Sequence, residues 1–535
     1  MKDVKHLDME ESQLEGLCER LERKCLAPDD YKFLKVIIDT VRFLSQQHQQ
    51  AATSMQRVLK MIFGSSTEKT DKVLNRDPKP AAATGADKPK RKGHGRLASD
   101  EYPGAQKICI EHELLRPGQK CPDCGKGVIR DTNRPAVLLR FCAQPFIKAT
   151  AFVVEKLRCT LCGKLFSATP PPEAGQEKYD QNVAPMLAML RYGHGMPMSR
   201  MEDLQESLGV PMPVGTQWGL INEYYTEMKP LGEELTRQGA QGDVLHNDDT
   251  TARILAVEKQ IRERQSQKTT GEKIRTGVFT TGVVSIKEDR KIALFFTGQQ
   301  HAGENLQDVL DNRHADLPTP IQMCDGLSRN EPKSATVKGN CNSHGRREFV
   351  EIADHFYDEC KYVLETFKQV YKHEAHTVEQ KLSAEQRLLY HQKNSTILME
   401  DMQLWMKKKF EDKEVEPNSG LGSAIKYMLK RWDKLTLFLR RAGAPLDNNI
   451  CERILKTSIR HRDNSLFYRT QNGAKVGDFF MSLIQTCRFC GKDPFHYLTT
   501  VRRFAHMLRD NPSALMPWNY QETAAAPPPL CVSTT

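Results

Sequence analysis

The sequence predicts a multidomain α/β protein in which a mixed sheet is combined with long helical segments. From residue 242 onward, short apolar runs alternate with helical patterns, as expected when strands and helices share one domain. Two stretches separate segments of different composition: residues 77–99, which are rich in proline, alanine and glycine, and the three prolines at 170–172. With 535 residues, the chain is long enough for three or four domains with cores of their own.

The composition restricts the class of protein. The net charge of +10 favours a polyanionic partner. The polar amino terminus lacks the apolar core of a secretory signal, and no apolar run approaches the roughly 18 residues that span a bilayer. The odd count of 15 cysteines favours metal binding over a disulfide framework. We therefore expect a soluble protein of a reducing, cytoplasmic compartment, with no membrane partner.

Residues 31–63 carry a heptad pattern. One seam position falls on Leu34, Val41, His48, Met55 and Ile62, and the other on Ile37, Leu44, Ala51 and Val58. About four heptads of this kind predict a coiled coil and hence a homodimer or higher oligomer. The alternative is an amphipathic helix that packs on its own protein. The linker that follows, residues 77–99, either contacts phosphates or serves only as a solvated tether. Its basic cluster comprises Lys88, Lys90, Arg91, Lys92 and Arg96.

Four cysteines form two C-x-x-C pairs, each followed by glycine: Cys121, Cys124, Cys159 and Cys162. Strand-like sequence at residues 137–141 and 152–157 lies between the pairs, which is typical of a zinc ribbon. Four thiolate ligands leave no open coordination position, so the predicted Zn²⁺ ion is structural. A redox pair is the alternative.

A helical segment is predicted for residues 171–241. Within it, a helix at 201–208, a turn at Gly209 and a helix carrying Trp218 and Ile221 resemble a helix-turn-helix that binds DNA. Any helical bundle contains such corners, so a purely structural role is the alternative.

Two strands of the α/β part are predicted to end in aspartate. Residues 244–246 lead into Asp248 and Asp249, and residues 320–324 end at Asp325. A hairpin is predicted between residues 276–286 and 292–297, and the highly charged segment 258–275 is predicted to be an exposed loop. Carboxylates at the carboxyl edge of a sheet form a candidate site.

A third carboxylate, Glu452, follows a helix start for which Asp447 is the predicted N-cap. The apolar stripe of Ile450, Ile454 and Leu455 leaves Glu452 on another side of the helix. Basic residues crowd the same stretch: Arg453, Lys456, Arg460, His461 and Arg462. Glu452 is then either a salt-bridged surface residue or a metal ligand together with Asp248 and Asp325.

The ordered set Asp248, Asp325 and Glu452 makes the chain resemble a transposase of the insertion sequence 66 family, of the TnpC type. The resemblance covers nearly the whole chain. Its further motifs are Gly93-His94-Gly95-Arg96, His246-Asn247-Asp248, Asp325-Gly326, Cys341…His344…Arg346-Arg347, Asp447-Asn448-Asn449…Glu452-Arg453 and Met516-Pro517-Trp518. The chain departs from the commoner family pattern at Asp249-Thr250-Thr251, at Leu327 and at Asn342-Ser343.

The resemblance implies a ribonuclease H-like catalytic domain with an Asp-Asp-Glu triad and a helical insertion. It implies that the triad binds two Mg²⁺ or Mn²⁺ ions, and that the chain cuts and joins double-stranded DNA at inverted repeats and in a target. Supporting or phosphate-contacting roles are implied for Asp249, His344, Arg346, Arg347 and Arg453. The organisation expected on this basis is 1–76 N-terminal helices with coiled coil, 77–99 basic linker, 100–170 zinc ribbon, 171–241 helical DNA-binding domain, 242–346 and 443–492 catalytic domain, 347–442 helical insertion, 493–522 C-terminal helices and 523–535 tail.

Two other functions fit the same residues. One is a non-catalytic DNA-binding protein from a degenerate element, and the other is a ribonuclease H-like nuclease or resolvase that cuts without joining. The need for accessory proteins of the same element is left open by the sequence. The resemblance also implies a bacterial protein that associates with the nucleoid when bound to DNA.

Overall fold

The computed structural model describes residues 165–267 and 274–525, the stretches 70–74, 116–120 and 146–158, and short runs within 17–37 and 122–128. Most of the predicted coiled coil, the basic linker and three of the ribbon cysteines (Cys121, Cys159 and Cys162) lie outside the described residues. The chain divides into two compact units, residues 1–76 with 151–535 and residues 77–150. In the smaller unit, Lys120 and Val128 form an antiparallel bridge.

The larger unit is mixed α/β, with more helix than strand in its described part. The strands are β1 (Lys156–Arg158), β2 (Leu165–Ser167), β3 (Val244–Thr251), β4 (Phe279–Lys287), β5 (Arg290–Gly298), β6 (Ile321–Cys324) and β7 (Val337–Asn340). The helices are α1 (Thr70–Leu74), α2 (Val183–Ala188), α3 (Met198–Ser207), α4 (Val214–Gly239), α5 (Leu255–Ser266), α6 (Ala302–Leu310), α7 (Asn342–Ile352), α8 (Tyr357–Glu379), α9 (Ala384–Asn394), α10 (Thr396–Glu411), α11 (Gly420–Leu435), α12 (Asn449–Ser465), α13 (Gln471–Phe489), α14 (Pro494–Arg503) and α15 (Tyr520–Ala525).

A five-stranded sheet in the order β5-β4-β3-β6-β7 forms the centre of the α/β part. Strands β3, β4 and β5 are antiparallel neighbours, whereas β6 runs parallel to β3 and β7 runs parallel to β6. The predicted hairpin is confirmed as β4 and β5, which are joined by the two residues Glu288 and Asp289. Glu288 has a positive φ of 53°, as primed two-residue turns require.

The charged segment after β3 is not a loop as predicted, because residues 255–266 form the helix α5. Two apolar side chains at i and i+4, Val257 and Ile261, are buried and pack in one cluster with Tyr468. One apolar stripe of this kind is enough to dock a helix whose other faces are charged. The polar composition of the segment concealed that stripe.

The outer edge of the sheet is closed by side chains of α13. Asp478, Ser482 and Thr486, spaced i, i+4 and i+8, accept the backbone N–H groups of three alternate residues of β5 at 2.6, 3.0 and 3.1 Å. An edge strand with free N–H groups would pair with other chains. This helix satisfies those donors and keeps β5 covered.

Helices α7 to α11, which lie between β7 and α12 in the sequence, share a hydrophobic core with the sheet. Buried residues of the cluster include Val244 and Ile321 from the strands and Phe367, Met402 and Met428 from the helices. The predicted helical insertion therefore packs against the sheet.

Helices α3 and α4 are joined by a turn at Gly209, whose φ is 73°. The predicted helix, turn and helix at this place are thus present, and α4 is 26 residues long. Its buried Tyr224 donates a hydrogen bond of 2.8 Å to the carbonyl of Leu498. Within the described part of the chain, no helix has the length and apolar character needed to cross a membrane.

Candidate active site

The sheet register places Asp248 level with Asp325. In the parallel pairing of β3 with β6, His246 lies opposite Met323, so two residues further along each chain Asp248 and Asp325 are neighbours. Adjacent strands are about 4.8 Å apart. Asp325 follows the last residue of β6, as predicted. Asp248 lies inside β3 rather than at its end, because β3 continues to Thr251 through its pairing with β4.

Helix α12 brings the third carboxylate to the same face of the sheet. Gly282 of β4 lies opposite Asp248, and a Cβ atom at this glycine would lie 3.1 Å from Leu455 and 3.4 Å from Ile454. The missing side chain lets α12 approach the sheet closely. Cys451 adds a contact of 3.2 Å between its Sγ atom and the carbonyl oxygen of Gly282. Glu452 in the first turn of α12 is thereby held near Asp248.

Asn448 joins the start of α12 to β3. Its side-chain oxygen lies 3.1 Å from His246 Nδ1, and its amide nitrogen donates to the carbonyl of Asn247 at 3.1 Å. Asn448 is fully buried, and burial lowers the pKa of His246 to about 4, so the ring is neutral and donates from Nδ1. The predicted N-cap, Asp447, is wrong by one residue: Asn448 occupies that position, and Asp447 accepts the backbone N–H of Asn449 at 3.1 Å.

Asp325 is oriented by a tight turn. Its Oδ1 atom accepts the backbone N–H of Leu327 at 3.0 Å and the side-chain amide of Asn330 at 2.6 Å. Gly326 has a φ of 81°, and a Cβ atom there would come within 2.5 Å of Asn340. Glycine is therefore required next to this carboxylate both for the backbone conformation and for space.

The electrostatics of the site are those of crowded carboxylates. Burial, together with the neighbouring charges of Asp325, Asp249 and Glu452, raises the pKa of Asp248 to about 7. The backbone N–H of Asp249, 2.8 Å from Asp248 Oδ1, acts in the opposite direction. In addition, Glu452 Oε1 is buried, and no described residue forms a hydrogen bond with it. Hard divalent cations prefer such oxygen donors, so this set of residues fits Mg²⁺.

The side chain of Asp249 lies on the opposite face of the sheet from Asp248. It is 1% exposed, and its two oxygens lie 3.1 Å from Arg329 and 3.2 Å from His301. The neighbouring Thr281 on β4 faces the same way and accepts a hydrogen bond from Asn305 of α6. Asp249 therefore donates a hydrogen bond to Asp248 from its backbone, whereas its side chain holds the strand from the other face and acts on Asp248 only by its charge.

Helix α7 contributes the other residues predicted for the site. His344 Nδ1 lies 3.8 Å from Glu452 Oε1. Arg346 donates to the Thr70 hydroxyl of α1 at 3.2 Å, and Arg347 is half-buried on the same helix. His344 therefore lies next to a triad carboxylate.

The exposed side of α12 is basic. Arg453, Lys456 and Arg460, at spacings of three and four residues, are all exposed. His461, which the sequence grouped with them, is buried between the rings of Tyr192 and Tyr468, and burial lowers its pKa to about 3. It is neutral and adds nothing to the basic surface.

Two residues next to Asp325 were not found from the sequence. The Tyr427 hydroxyl of α11 lies 3.4 Å from the carbonyl oxygen of Asp325. The Arg431 guanidinium stacks on the Tyr427 ring at 4.1 Å and approaches Gly326. Their i and i+4 spacing on a helix was the available signal, but nothing local linked that helix to Asp325, about a hundred residues earlier.

Comparison with known protein families shows which family the chain belongs to. The model described as "Transposase IS66 family" matches residues 178–476, more than half of the chain. The chain belongs to the IS66 transposase family. The matched region of this transposase contains β3, β6 and α12, and so all three carboxylates.

This member of the IS66 family is also similar to proteins of Sinorhizobium fredii (strain NBRC 101917 / NGR234). It is 25% identical to the uncharacterized protein y4hP in an alignment of 449 positions that covers 78% of this chain and 76% of that protein. It is 26% identical to the uncharacterized protein y4qI over 63% of this chain and 62% of that protein. A shorter match, 30% identical over 185 residues, relates it to y4jD and covers 34% of this chain and 35% of that protein.

The predicted zinc ligands are described only in part. Cys124 is exposed, and β1 and β2 form an antiparallel pair with Arg158 opposite Leu165. Cys159 and Cys162 lie outside the described residues, so the zinc ribbon stays a prediction. The strand before them begins at Lys156, later than the predicted start at residue 152.

Proposed function

We propose that this member of the IS66 family is an active DNA transposase with a ribonuclease H-like catalytic domain. It binds the terminal inverted repeats of its element, cuts the DNA and joins the freed ends to a target. The observation that carries the proposal is the convergence of Asp248, Asp325 and Glu452 on one face of a five-stranded mixed sheet within the family match.

The carboxylates support a site for two Mg²⁺ or Mn²⁺ ions. When bound, a pair of such ions activates the attacking oxygen and stabilises the leaving oxygen of an in-line phosphoryl transfer. The protein's own contribution is positioning. The Asp325 turn, the Asn448 bridge and the close approach of α12 at Gly282 fix three acidic groups before DNA arrives.

Two displacements follow from this site. Water attacks a phosphodiester at the end of the element and leaves a 3′-hydroxyl, and that hydroxyl then attacks a phosphodiester of the target DNA. We assign phosphate contacts to Arg453, with Lys456 and Arg460 on the same exposed stripe. Arg346, Arg347 and His344 border the site from α7, and Asp249 supports it from behind the sheet.

The remaining parts of the chain are proposed to serve DNA binding and assembly. Helices α3 and α4 would recognise the inverted repeats, the zinc ribbon of Cys121, Cys124, Cys159 and Cys162 would hold one structural Zn²⁺, and residues 31–63 would pair two protomers. A dimer suits a reaction that must bring two DNA ends together.

Triad variants test the proposal. Asp248→Asn, Asp325→Asn and Glu452→Gln retain shape but remove the charge that a divalent ion needs. Each should abolish Mg²⁺-dependent cleavage of a duplex that carries the inverted repeats flanking the gene, while binding of that duplex stays intact. The three losses should not add in combined variants, because the triad acts as one unit.

Matched controls separate charge from position. Asp243→Asn removes an exposed carboxylate just before β3 and should leave cleavage unchanged. Asp249→Asn should slow cleavage without abolishing it, because its side chain lies on the other face of the sheet. Full activity in the triad variants would refute a catalytic role and leave a DNA-binding protein. Cleavage without a joined product would identify a nuclease or resolvase instead.

A further inference from the structure

A second group of possible metal ligands lies beside the carboxylate triad. Cys341 precedes the first residue of α7, His344 lies in the first turn of that helix, and Glu452 lies in the first turn of α12. One ligand atom from each of the three residues lies within 4.8 Å of the other two. In the described part of the chain, Glu452 thus stands between two clusters, the two aspartates on one side and a thiol with an imidazole on the other.

Two atoms of this group are buried without a hydrogen-bond partner among the described residues. They are His344 Nδ1 and Glu452 Oε1, which lie 3.8 Å apart. That distance is too long for a hydrogen bond. Leaving two polar atoms buried and unpaired is energetically unfavourable, so such pairs point to an absent partner. An ion between the two atoms satisfies both.

The separation of His344 and Glu452 is close to that expected around a tetrahedral ion, and Cys341 Sγ lies within 4.8 Å of both. Zinc binds sulfur at about 2.3 Å and nitrogen or oxygen at about 2.1 Å, which separates neighbouring ligand atoms by about 3.4–3.6 Å. The 3.8 Å between His344 and Glu452 needs a shift of only a few tenths of an ångström. The side chains of His344 and Glu452 are 24% and 27% exposed, so an ion can reach the group from solvent.

The donor set selects the ion. One thiol, one imidazole and one carboxylate suit Zn²⁺, whereas Mg²⁺ prefers oxygen alone. Cys341 Sγ accepts the backbone N–H of Asn448 at 3.2 Å and also that of His344. Burial raises the pKa of the Cys341 thiol to about 12, so the thiol loses its proton only to a bound ion, and the two N–H donors then stabilise the thiolate. Three protein ligands leave the fourth position of a zinc ion open to water.

We propose that Cys341, His344 and Glu452 form a Zn²⁺ site that shares Glu452 with the catalytic triad, and that zinc bound there inhibits the transposase. The inhibitory part rests on the proposed function. Zinc on Glu452 neutralises a carboxylate that the magnesium site needs. It also adds positive charge next to Asp248 and Asp325, which weakens the binding of further cations.

Binding is tested on the full chain without DNA, so that the result does not depend on catalysis. Zinc per chain is measured after equilibration with micromolar Zn²⁺ and desalting, and Co²⁺ serves as a spectroscopic probe of thiolate ligation. The unmodified chain should hold one zinc more than Cys341→Ser or His344→Ala, and the cobalt–thiolate absorption gained by the unmodified chain should exceed that of Cys341→Ser. The ribbon cysteines are the same in all these proteins, so their zinc cancels in the comparison.

Cys360→Ser is the matched control, because it removes another fully buried thiol, on α8, outside the cluster. It should bind as much zinc as the unmodified chain. If Cys341→Ser does not fold, as judged by its thermal midpoint, His344→Ala decides the matter, since its ring is partly exposed. Equal zinc content and equal affinity in the unmodified chain and the folded variants would overturn the site.

The inhibition is measured separately. At a fixed Mg²⁺ concentration, micromolar Zn²⁺ should reduce cleavage at least tenfold in the unmodified protein, whereas Cys341→Ser should retain cleavage. Zinc binding without this difference would overturn the inhibitory role. A chain that binds the additional zinc but never cleaves DNA in Mg²⁺ would instead refute the proposed function and leave the zinc site standing.

Discussion

Asn448→Leu tests whether the buried bridge between β3 and α12 organises the site. Leucine has a similar size but can neither accept from His246 Nδ1 nor donate to the carbonyl of Asn247. Both groups then remain buried and unsatisfied, at about 1–3 kcal/mol each. Because the Asn448 side chain makes no capping hydrogen bond to α12, no cap is lost. The expected loss of unfolding free energy is therefore about 2–6 kcal/mol.

The assay is denaturant unfolding followed by tryptophan fluorescence, with Trp432 in the core that joins the sheet to the insertion. The midpoint should fall while the slope with denaturant stays the same, since the surface exposed on unfolding is unchanged. Asn449→Leu is the matched control. Its amide contacts only the neighbouring Asp447, so we expect a change of about 0.5–1 kcal/mol at most.

A double variant sharpens the test. His246→Leu removes the donor that Asn448→Leu leaves unpaired, so the two changes together should cost about 1–2 kcal/mol less than their sum. At a temperature where each variant is folded, Asn448→Leu should also slow DNA cleavage about 10–100-fold, because Glu452 lies one helical turn after Asn448 and is positioned by it. If Asn448→Leu is as stable as Asn449→Leu, the bridge reasoning is wrong. A loss of stability with an unchanged cleavage rate would refute its role in positioning Glu452.

Three further predictions concern other parts of the chain. Burial raises the pKa of Asp478 to about 7, so the folded state holds a proton that the unfolded state releases above about pH 4. The free energy of unfolding should therefore fall by up to about 1.4 kcal/mol per pH unit as the pH rises from 4 to 7. In urea titrations, Asp478→Asn should lose that part of the pH dependence. The double change Cys121→Ser with Cys124→Ser should remove about one zinc per chain in metal analysis, and full retention would reject the ribbon. A fragment spanning residues 31–63 should sediment as a dimer or higher oligomer. The double change Val41→Asp with Leu44→Asp should make it a monomer, because association would bury the new charges at the seam. A monomeric unmodified fragment would contradict the coiled coil.

The sequence alone determined the local elements and the chemical types of the candidate site. Two strand-like stretches with a turn at Glu288 and Asp289 identified the hairpin, and an apolar run ending at Asp325 identified β6. These patterns are local, so they survive without knowledge of the fold. The order of Asp248, Asp325 and Glu452, together with the motifs around them, was sufficient to recognise the family that the comparison later established.

Only the tertiary structure decided which of these residues meet, and on which face. The register of β3 with β6 sets Asp248 beside Asp325 and turns Asp249 to the other side, where His301 and Arg329 hold it. A shift of one residue in that register would put Asp249 in the place of Asp248. The residue type cannot reveal which of the two faces the site, because both are aspartates in the same strand.

Burial was the other quantity that the sequence left undetermined. The sequence groups His461 with a basic surface, yet it is enclosed by two tyrosines, and Asn448 joins segments about 200 residues apart. Cys341 and His344 are neighbours in a sequence motif, but only the packing of α12 brings Glu452 to them. Such contacts depend on how helices pack against the sheet, and their free energy comes from groups that are far apart in the chain.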